Sequence, residues 1–376
     1  MHLFPTLRNY KKENLGKDIL AGLIIMAVSI PISMGYAQIA GLPAVYGLYG
    51  SVLPILFFAV FSTSPQFIFG VDAAPAALVG SALLSMGIES GSEEAMRAVP
   101  VLTLFVALWL FAFSYMKAGK LVNYISAPVM GGFITGICTT IILMQIPKLF
   151  GGSAGVGEFF ELAVHIGESL EKLNLPSLLL GLFALFILLL SKKLIPKFPM
   201  AVLLMAAGAC MTKFLPLKKW GVVTLSAVDP GLMPFTLPDL SAIPVREAVT
   251  ISLSVAIVIM AETLLAENSF AQKNGYRIND NQEIFAFAMG NLIAALTGCC
   301  PINGSVSRTA MGEQYQARTQ LTGIVAGISM LVLLLGGTGF IGYLPVPILT
   351  AIVISALLGA TEFDLAIRLW KISRTE

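Results

Sequence analysis

Cys300-Pro301-Ile302-Asn303-Gly304-Ser305-Val306-Ser307-Arg308-Thr309 lies deep in an apolar sequence, yet it holds a proline, a glycine, three hydroxyls, an amide and a full positive charge. A continuous spanning helix has no use for that mixture, because each unpaired backbone polar group in hydrocarbon costs several kcal/mol. A broken helix whose N-terminus faces an anion does. Pro301 and Gly304 hold the backbone extended, and the amides of Ser305, Val306 and Ser307 then open a helix with their N–H groups free. Arg308 adds charge to the roughly half positive charge of the helix end. The expectation is the substrate-binding half of a membrane anion carrier.

The rest of the chain is consistent with a membrane. Of 376 residues, 57% are hydrophobic and 12% charged, whereas soluble domains carry about 25% charged residues. Apolar runs such as Val101–Met116, Leu178–Leu190, Ile251–Met260 and Ile324–Leu335 approach, with their flanks, the ~20 residues of a tilted spanning helix. The N-terminus has no short apolar core with a small-residue cleavage site, so no signal peptide is expected. A net charge of +2 gives no reason to expect a nucleic-acid partner. The cysteines Cys138, Cys210, Cys299 and Cys300 sit in apolar stretches without metal-ligand spacing and read as packing residues. No Walker loop or zinc-ligand set occurs, and no cofactor is expected.

Lysine and arginine locate the inside. Arg8, Lys11, Lys12 and Lys17 precede the first span, which puts the N-terminus in the cytoplasm and the protein in the inner (plasma) membrane. Spans are expected near 19–39, 47–62, a short one at 73–87, 97–116, 123–146, 174–191 and 199–213. An outer segment at 150–172 carries Glu158, Glu161, Glu168 and Glu171, and a Pro-rich outer loop covers 214–245. Spans resume near 248–266, 283–298, a short one at 305–312, 319–336 and 346–359, with the tail Glu362–Glu376 inside. That is about twelve segments.

Two of these are short and interrupted by Gly or Pro, each third in its half: Phe67–Pro75 around Gly70-Val71-Asp72-Ala73, and 299–309. Matching interruptions in two halves point to a transporter site between inverted repeats, with two half-helix N-termini facing each other near the midplane. The plainer alternative is that Pro75 and Pro301 only kink two packed helices.

The run 31–54, with Pro31, Tyr36-Ala37, Ala40-Gly41-Leu42-Pro43, Tyr46-Gly47-Leu48-Tyr49, Ser51 and Pro54, resembles the signature of the SulP sulfate-permease family. Ser62-Thr63-Ser64, Gly70-Val71-Asp72-Ala73, Asn281-Gln282-Glu283, Asn291, Pro301, Gly304–Arg308 and Thr319–Gly323 extend the resemblance over nearly the whole chain. It implies an all-α polytopic membrane protein with a seven-plus-seven inverted repeat of core and gate domains and two half-helices. On that plan 1–122 is the core of the first repeat, 123–213 its gate, 214–247 an extracellular loop, 248–340 the second core and 341–376 part of the second gate. Members of the family move sulfate, bicarbonate, chloride, oxalate or dicarboxylates, some with protons or sodium.

Three departures stand out. In the family the segment resembling Leu369–Arg374 is followed by two more helices and a STAS domain, whereas this sequence stops at Glu376. The expectation is a fold truncated after about twelve segments that binds better than it transports. Ile32 stands where many animal members have glutamine, and Val71 where proline is usual.

The residues then sort by chemistry. An arginine in a membrane segment costs at least about 2.5–3.5 kcal/mol on insertion scales, so Arg308 marks a function by default. Its guanidinium can grip an oxyanion bidentately; the alternative is a helix-locking salt bridge to an acid such as Glu262. Gly304, Ser305, Val306 and Ser307 supply backbone and hydroxyl donors. Ala73 and Ala74 opposite them let a ligand approach the other helix end. Tyr36 resembles the family's aromatic at the edge of the site, against simple packing. Glu262 is read as a single carboxylate in an apolar helix. Poised between desolvation and a nearby cation, it can take up and release a proton, and it resembles the family's cation-coupling acid. Asp72 either caps its half-helix or joins the coupling. The expected partners are therefore a small anion, a co-transported proton with sodium as the alternative, the bilayer, and a second copy of the chain. An enzyme is not expected: the histidines are His2, at the terminus, and His165, in the outer segment, so Ser305 and Ser307 lack a general base.

Overall fold

The computed structural model describes residues 3–8, 10–120, 127–155, 159–195 and 198–360. The tail 361–376, the start of the 123–146 span and Glu158 lie outside the described residues. In chain order the helices are α1 (Leu15–Ile39), α2 (Val45–Tyr49), α3 (Leu53–Phe61), α4 (Ala73–Ser85), α5 (Glu93–Tyr115), α6 (Ala127–Leu149) and α7 (Phe159–Leu170). They continue with α8 (Leu175–Leu194), α9 (Met200–Phe214), α10 (Val245–Asn274), α11 (Asp280–Leu296), α12 (Val306–Gln314), α13 (Leu321–Val332) and α14 (Val346–Ala360). Two short strands, β1 (Phe69–Gly70) and β2 (Asn303–Gly304), pair antiparallel. Among the described residues, five helical stretches are long and apolar enough to cross a membrane: Lys12–Ile39, Glu93–Tyr115, Leu175–Leu194, Val245–Asn274 and Leu321–Tyr343.

The chain divides into two compact units, Met1–Tyr124 with Val228–Gly339, and Ile125–Ala227 with Phe340–Glu376. In the first unit, α1 is tied to α13 by a buried acid. Asp18 accepts the Arg318 and Thr319 N–H groups at 2.6 and 3.3 Å and the hydroxyls of Thr319 and Thr322 at 2.7 and 3.2 Å. It thus satisfies donors at the opening of α13 that the helix itself cannot. Gly22 makes the close approach possible, since a Cβ there would lie 2.7 Å from the Val325 side chain. Ser92 caps α5 through the Ala95 N–H at 3.1 Å, with Glu93 and Glu94 in the first turn, where the helix dipole favours them.

The single span expected at 47–62 is in fact two helices. Pro54 opens α3 and has no N–H to continue a ladder from α2. At the break Ser51 turns its hydroxyl to Ser33 Oγ at 2.8 Å and to the Gly47 carbonyl at 3.0 Å. The span expected at 248–266 is also longer than its apolar run. α10 continues to Asn274 and stops at Gly275, whose φ of 72° is the left-handed cap.

In the second unit, the segment expected outside at 150–172 contains a helix, α7, with one apolar side. Leu162 is buried while Phe159, Phe160 and Val164 are exposed. Asn174 opens α8 by accepting the Ser177 N–H at 2.9 Å and donates to the Trp220 carbonyl at 2.9 Å. α8 also exposes Leu179, Leu182, Phe183 and Phe186. Such a stripe is a liability in water and ordinary against lipid.

Candidate functional site

The expected extended stretch before the second half-helix is β2. Its register sets Phe69 opposite Gly304 and Gly70 opposite Asn303, so the openings of α4 and α12 lie side by side in the first unit. Several side chains hold the crossing. Asn291 on α11 accepts the Ile302 N–H at 2.9 Å and donates to the Ile302 carbonyl at 2.9 Å. Thr263 on α10 accepts the Gly304 N–H at 3.0 Å. Thr309 accepts the Ile68 N–H at 3.0 Å and donates to the Ser305 carbonyl at 2.7 Å. Gln320 donates to the Ser64 and Phe67 carbonyls at 2.7 and 2.8 Å. Behind β1, Phe69 stacks on Phe58 and Phe287 with ring centroids 4.8 and 5.3 Å apart. Several of the backbone groups that the break frees are thereby claimed by a neighbour, as buried backbone tends to be.

One sequence expectation is corrected here. The Ser305 amide is not free: it donates to the Ile68 carbonyl at 2.8 Å, because the strand pairing runs one residue further than Gly304. The helix opens after it, with Ser305 as N-cap residue. Among the described residues, the Val306, Ser307 and Arg308 amides have no hydrogen-bond partner, nor does that of Ala74 on the facing helix. Ser305 and Ser307 hydroxyls lie 3.3 Å apart and both residues are buried.

Arg308 is fully buried. Its Nη2 donates to the Val71 carbonyl at 2.7 Å and lies 3.5 Å from Asp72 Oδ2, while Nε and Nη1 have no hydrogen-bond partner among the described residues. Its acid partner is therefore Asp72, and the salt bridge to Glu262 weighed above is not formed. Asp72 caps as well, accepting the Ala73 N–H on Oδ1 at 2.8 Å. Glu262, also buried, accepts from Asn303 Nδ2 at 3.1 Å and is close enough to Asp72 for the two acids to repel. Tyr36 is buried on α1 within electrostatic range of Arg308. Arg308, Asp72, Glu262 and Tyr36 are thus brought near one another, through contacts that spacing along the chain did not reveal.

Asn303, Thr309 and Gln320 lie in stretches the sequence reading quoted, but neither they nor Thr263 were given a role, although polar residues inside apolar helices are the available signal. Gly304 shows how tight the crossing is. A Cβ there would lie 2.2 Å from Phe67 Cε1 and 2.5 Å from Thr263 Cγ2. Gly304→Ala is expected to cost about 1–3 kcal/mol by overpacking and to remove stabilisation by added anions, both read from thermal unfolding of the purified protein.

Comparison with known proteins bears on the fold and the family. The solved structure of SLC26A9 superposes with a TM-score of 0.79 at 22% identity, covering 98% of this chain and 61% of that one. The transmembrane domain of the cyanobacterial bicarbonate transporter BicA gives 0.74 at 19% identity, covering 96% and 95%. The fold is therefore that of an all-α polytopic transporter domain. Among curated proteins, sulfate transporter 2.1 of Arabidopsis thaliana is 29% identical over 99% of this chain and 57% of its own length. The sulfate transporter of Bubalus bubalis is 28% identical over 97% and 55%. The protein of Mycobacterium tuberculosis named probable sulfate transporter MT1781 is 28% identical over 98% and 66%. The chain spans less than two thirds of the length of these curated relatives. With the sequence profile of the sulfate permease family matching residues 15–376, the chain belongs to that family.

Proposed function

We propose that this chain carries a small anion of the sulfate, bicarbonate or dicarboxylate class across the plasma membrane by alternating access, with a proton travelling in the same direction. Its N-terminus lies in the cytoplasm, and no chemistry is done on the anion. The reading rests on one observation above all: a fully buried guanidinium with unspent donors at the opening of α12. Leaving such donors unmade costs about 1–3 kcal/mol or more, and an anion held by Arg308 and the free helix-end amides would recover that cost. The first unit then serves as the core. Sulfate and bicarbonate head the candidates because relatives carry those anions in their names.

The proton follows from the charge count of the site. Asp72 and Glu262 set two acids against one guanidinium, so with both ionised the site is net negative and repels an anion. Protonating Glu262 leaves Arg308 balanced by Asp72 alone, and the anion then enters a neutral site. The test is uptake of labelled sulfate, bicarbonate and fumarate into proteoliposomes, with and without an acid-outside gradient. Concentrative uptake that collapses with the gradient is expected for one of them. Uptake that ignores pH but requires sodium moves the coupling to that cation, and passive equilibration under every gradient overturns symport.

A further inference from the structure

Five residues beyond Glu262, α10 carries a second buried acid that the proposed transport cycle does not use. Glu267 is fully buried, and neither of its carboxyl oxygens has a hydrogen-bond partner among the described residues. Among the described residues, the carboxylate of Glu283, in the first turn of α11, lies within its reach. Glu283 is fully engaged as an acceptor. Its Oε2 takes the Ser62 hydroxyl at 2.8 Å, and its Oε1 takes the Thr63 N–H at 2.5 Å, the Ser64 N–H at 3.2 Å and the Thr63 hydroxyl. Those four donors are what an ionised carboxylate wants.

Among the described residues, no basic group supplies a positive charge to Glu267. From α11 it faces Glu283 and Asp280, and from the loop after α10 it faces Tyr276. Lys273, on its own helix, is paired with Glu313 of α12 at 2.8 Å. Two adjacent buried carboxylates without a cation cannot both be ionised at tolerable cost, whereas one proton between them turns repulsion into a charge-assisted hydrogen bond.

We infer that Glu267 holds a proton and donates it to Glu283, making the pair a proton-binding site separate from Glu262. The pair sits under the 62–64 turn, and that turn leads directly into β1. Gln320 links the two, bridging the Ser64 and Phe67 carbonyls. Loss of the proton would set Glu267 against the carboxylate that caps the turn, and so loosen the strand that aligns the half-helices. The site is thus a pH-sensitive clamp on the anion-binding crossing, and it stands whichever cation drives transport.

The sign of its effect on stability follows by linkage. At neutral pH the folded chain keeps a proton that a free glutamate in the unfolded chain has lost, so stability falls as pH rises. One such proton changes the unfolding equilibrium about tenfold per pH unit.

The experiment compares the purified full chain with Glu267→Gln by infrared spectroscopy and by denaturant unfolding from neutral to alkaline pH. Wild type is expected to show a protonated-carboxylic-acid carbonyl band at neutral pH that bleaches on alkalinisation. In the glutamine variant that band should be diminished and the pH slope of stability reduced. Glu262→Gln should retain both the band and the slope. Should Glu267→Gln not fold, the same titration in the Glu262→Gln background decides the matter through its remaining acid band. An undiminished band in Glu267→Gln, parallel pH profiles, or no acid band in the Glu262→Gln background overturns the proposal.

Discussion

Arg308→Ala is expected to abolish anion-dependent stabilisation and uptake. The guanidinium supplies the positive charge of the site, and its Nε and Nη1 are donors that no described residue uses. Hydrogen bonds to charged groups contribute about 1.5–3 kcal/mol each, so losing the arginine should weaken binding by about a hundredfold or more. Part of the damage has another source. Asp72 is buried and would be left without its partner, and breaking a buried pair from one side typically costs about 3–5 kcal/mol. The double variant Arg308→Gln with Asp72→Asn separates the two effects, because it keeps the site neutral. It should recover folding and not binding. Arg308→Lys should bind weakly, since an ammonium offers a point charge without the planar fork. Isothermal titration with sulfate and bicarbonate checks all three. Wild-type affinity in the double variant would show that the helix ends alone hold the anion.

How much of this could be read in advance depended on whether the cause was local. Pro301 and Gly304 act on their own backbone, so the extended stretch and the start of the second half-helix were legible, as was the opening of the first at Asp72-Ala73. The pairing of Phe69 with Gly304 was not, because nothing in either segment encodes a partner so distant in sequence. That pairing consumes the Ser305 amide and brings the Val71 carbonyl and Asp72 to Arg308. The acid chosen from sequence, Glu262, instead meets Asn303. The same limit hid Glu267. Hydropathy alone ended the span at 266, while the helix continues for two more turns, and packing buries a carboxyl just beyond the expected span. In the segment 150–172, glutamates masked the apolar side of α7. Charge counts bear on which side of the membrane the segment is expected and say nothing of its backbone.

Glu262→Gln should bind the anion and lose the ability to concentrate it. Glutamine keeps an oxygen that can accept from Asn303 Nδ2, so the contact made by Glu262 at 3.1 Å survives. It also fixes the charge at the value that protonation gives, with Arg308 facing Asp72 alone. In wild type, an anion arriving beside Arg308 adds negative charge near Glu262 and so favours its protonated form. By reciprocity, the proton favours the anion to the same extent, typically by about 1–3 kcal/mol, or roughly 5–150-fold in affinity. Wild-type affinity should therefore rise as pH falls, while the variant should stay near the acid limit at every pH. Without a proton to release, the variant can equilibrate the anion but cannot draw on the proton gradient. Uptake of the labelled anion into proteoliposomes, run over a range of outside pH for both proteins, reads the two effects together. Equal accumulation against a gradient by both would reduce Glu262 to a structural partner of Asn303. A variant that neither binds nor exchanges the anion would instead place the carboxylate in direct support of the site.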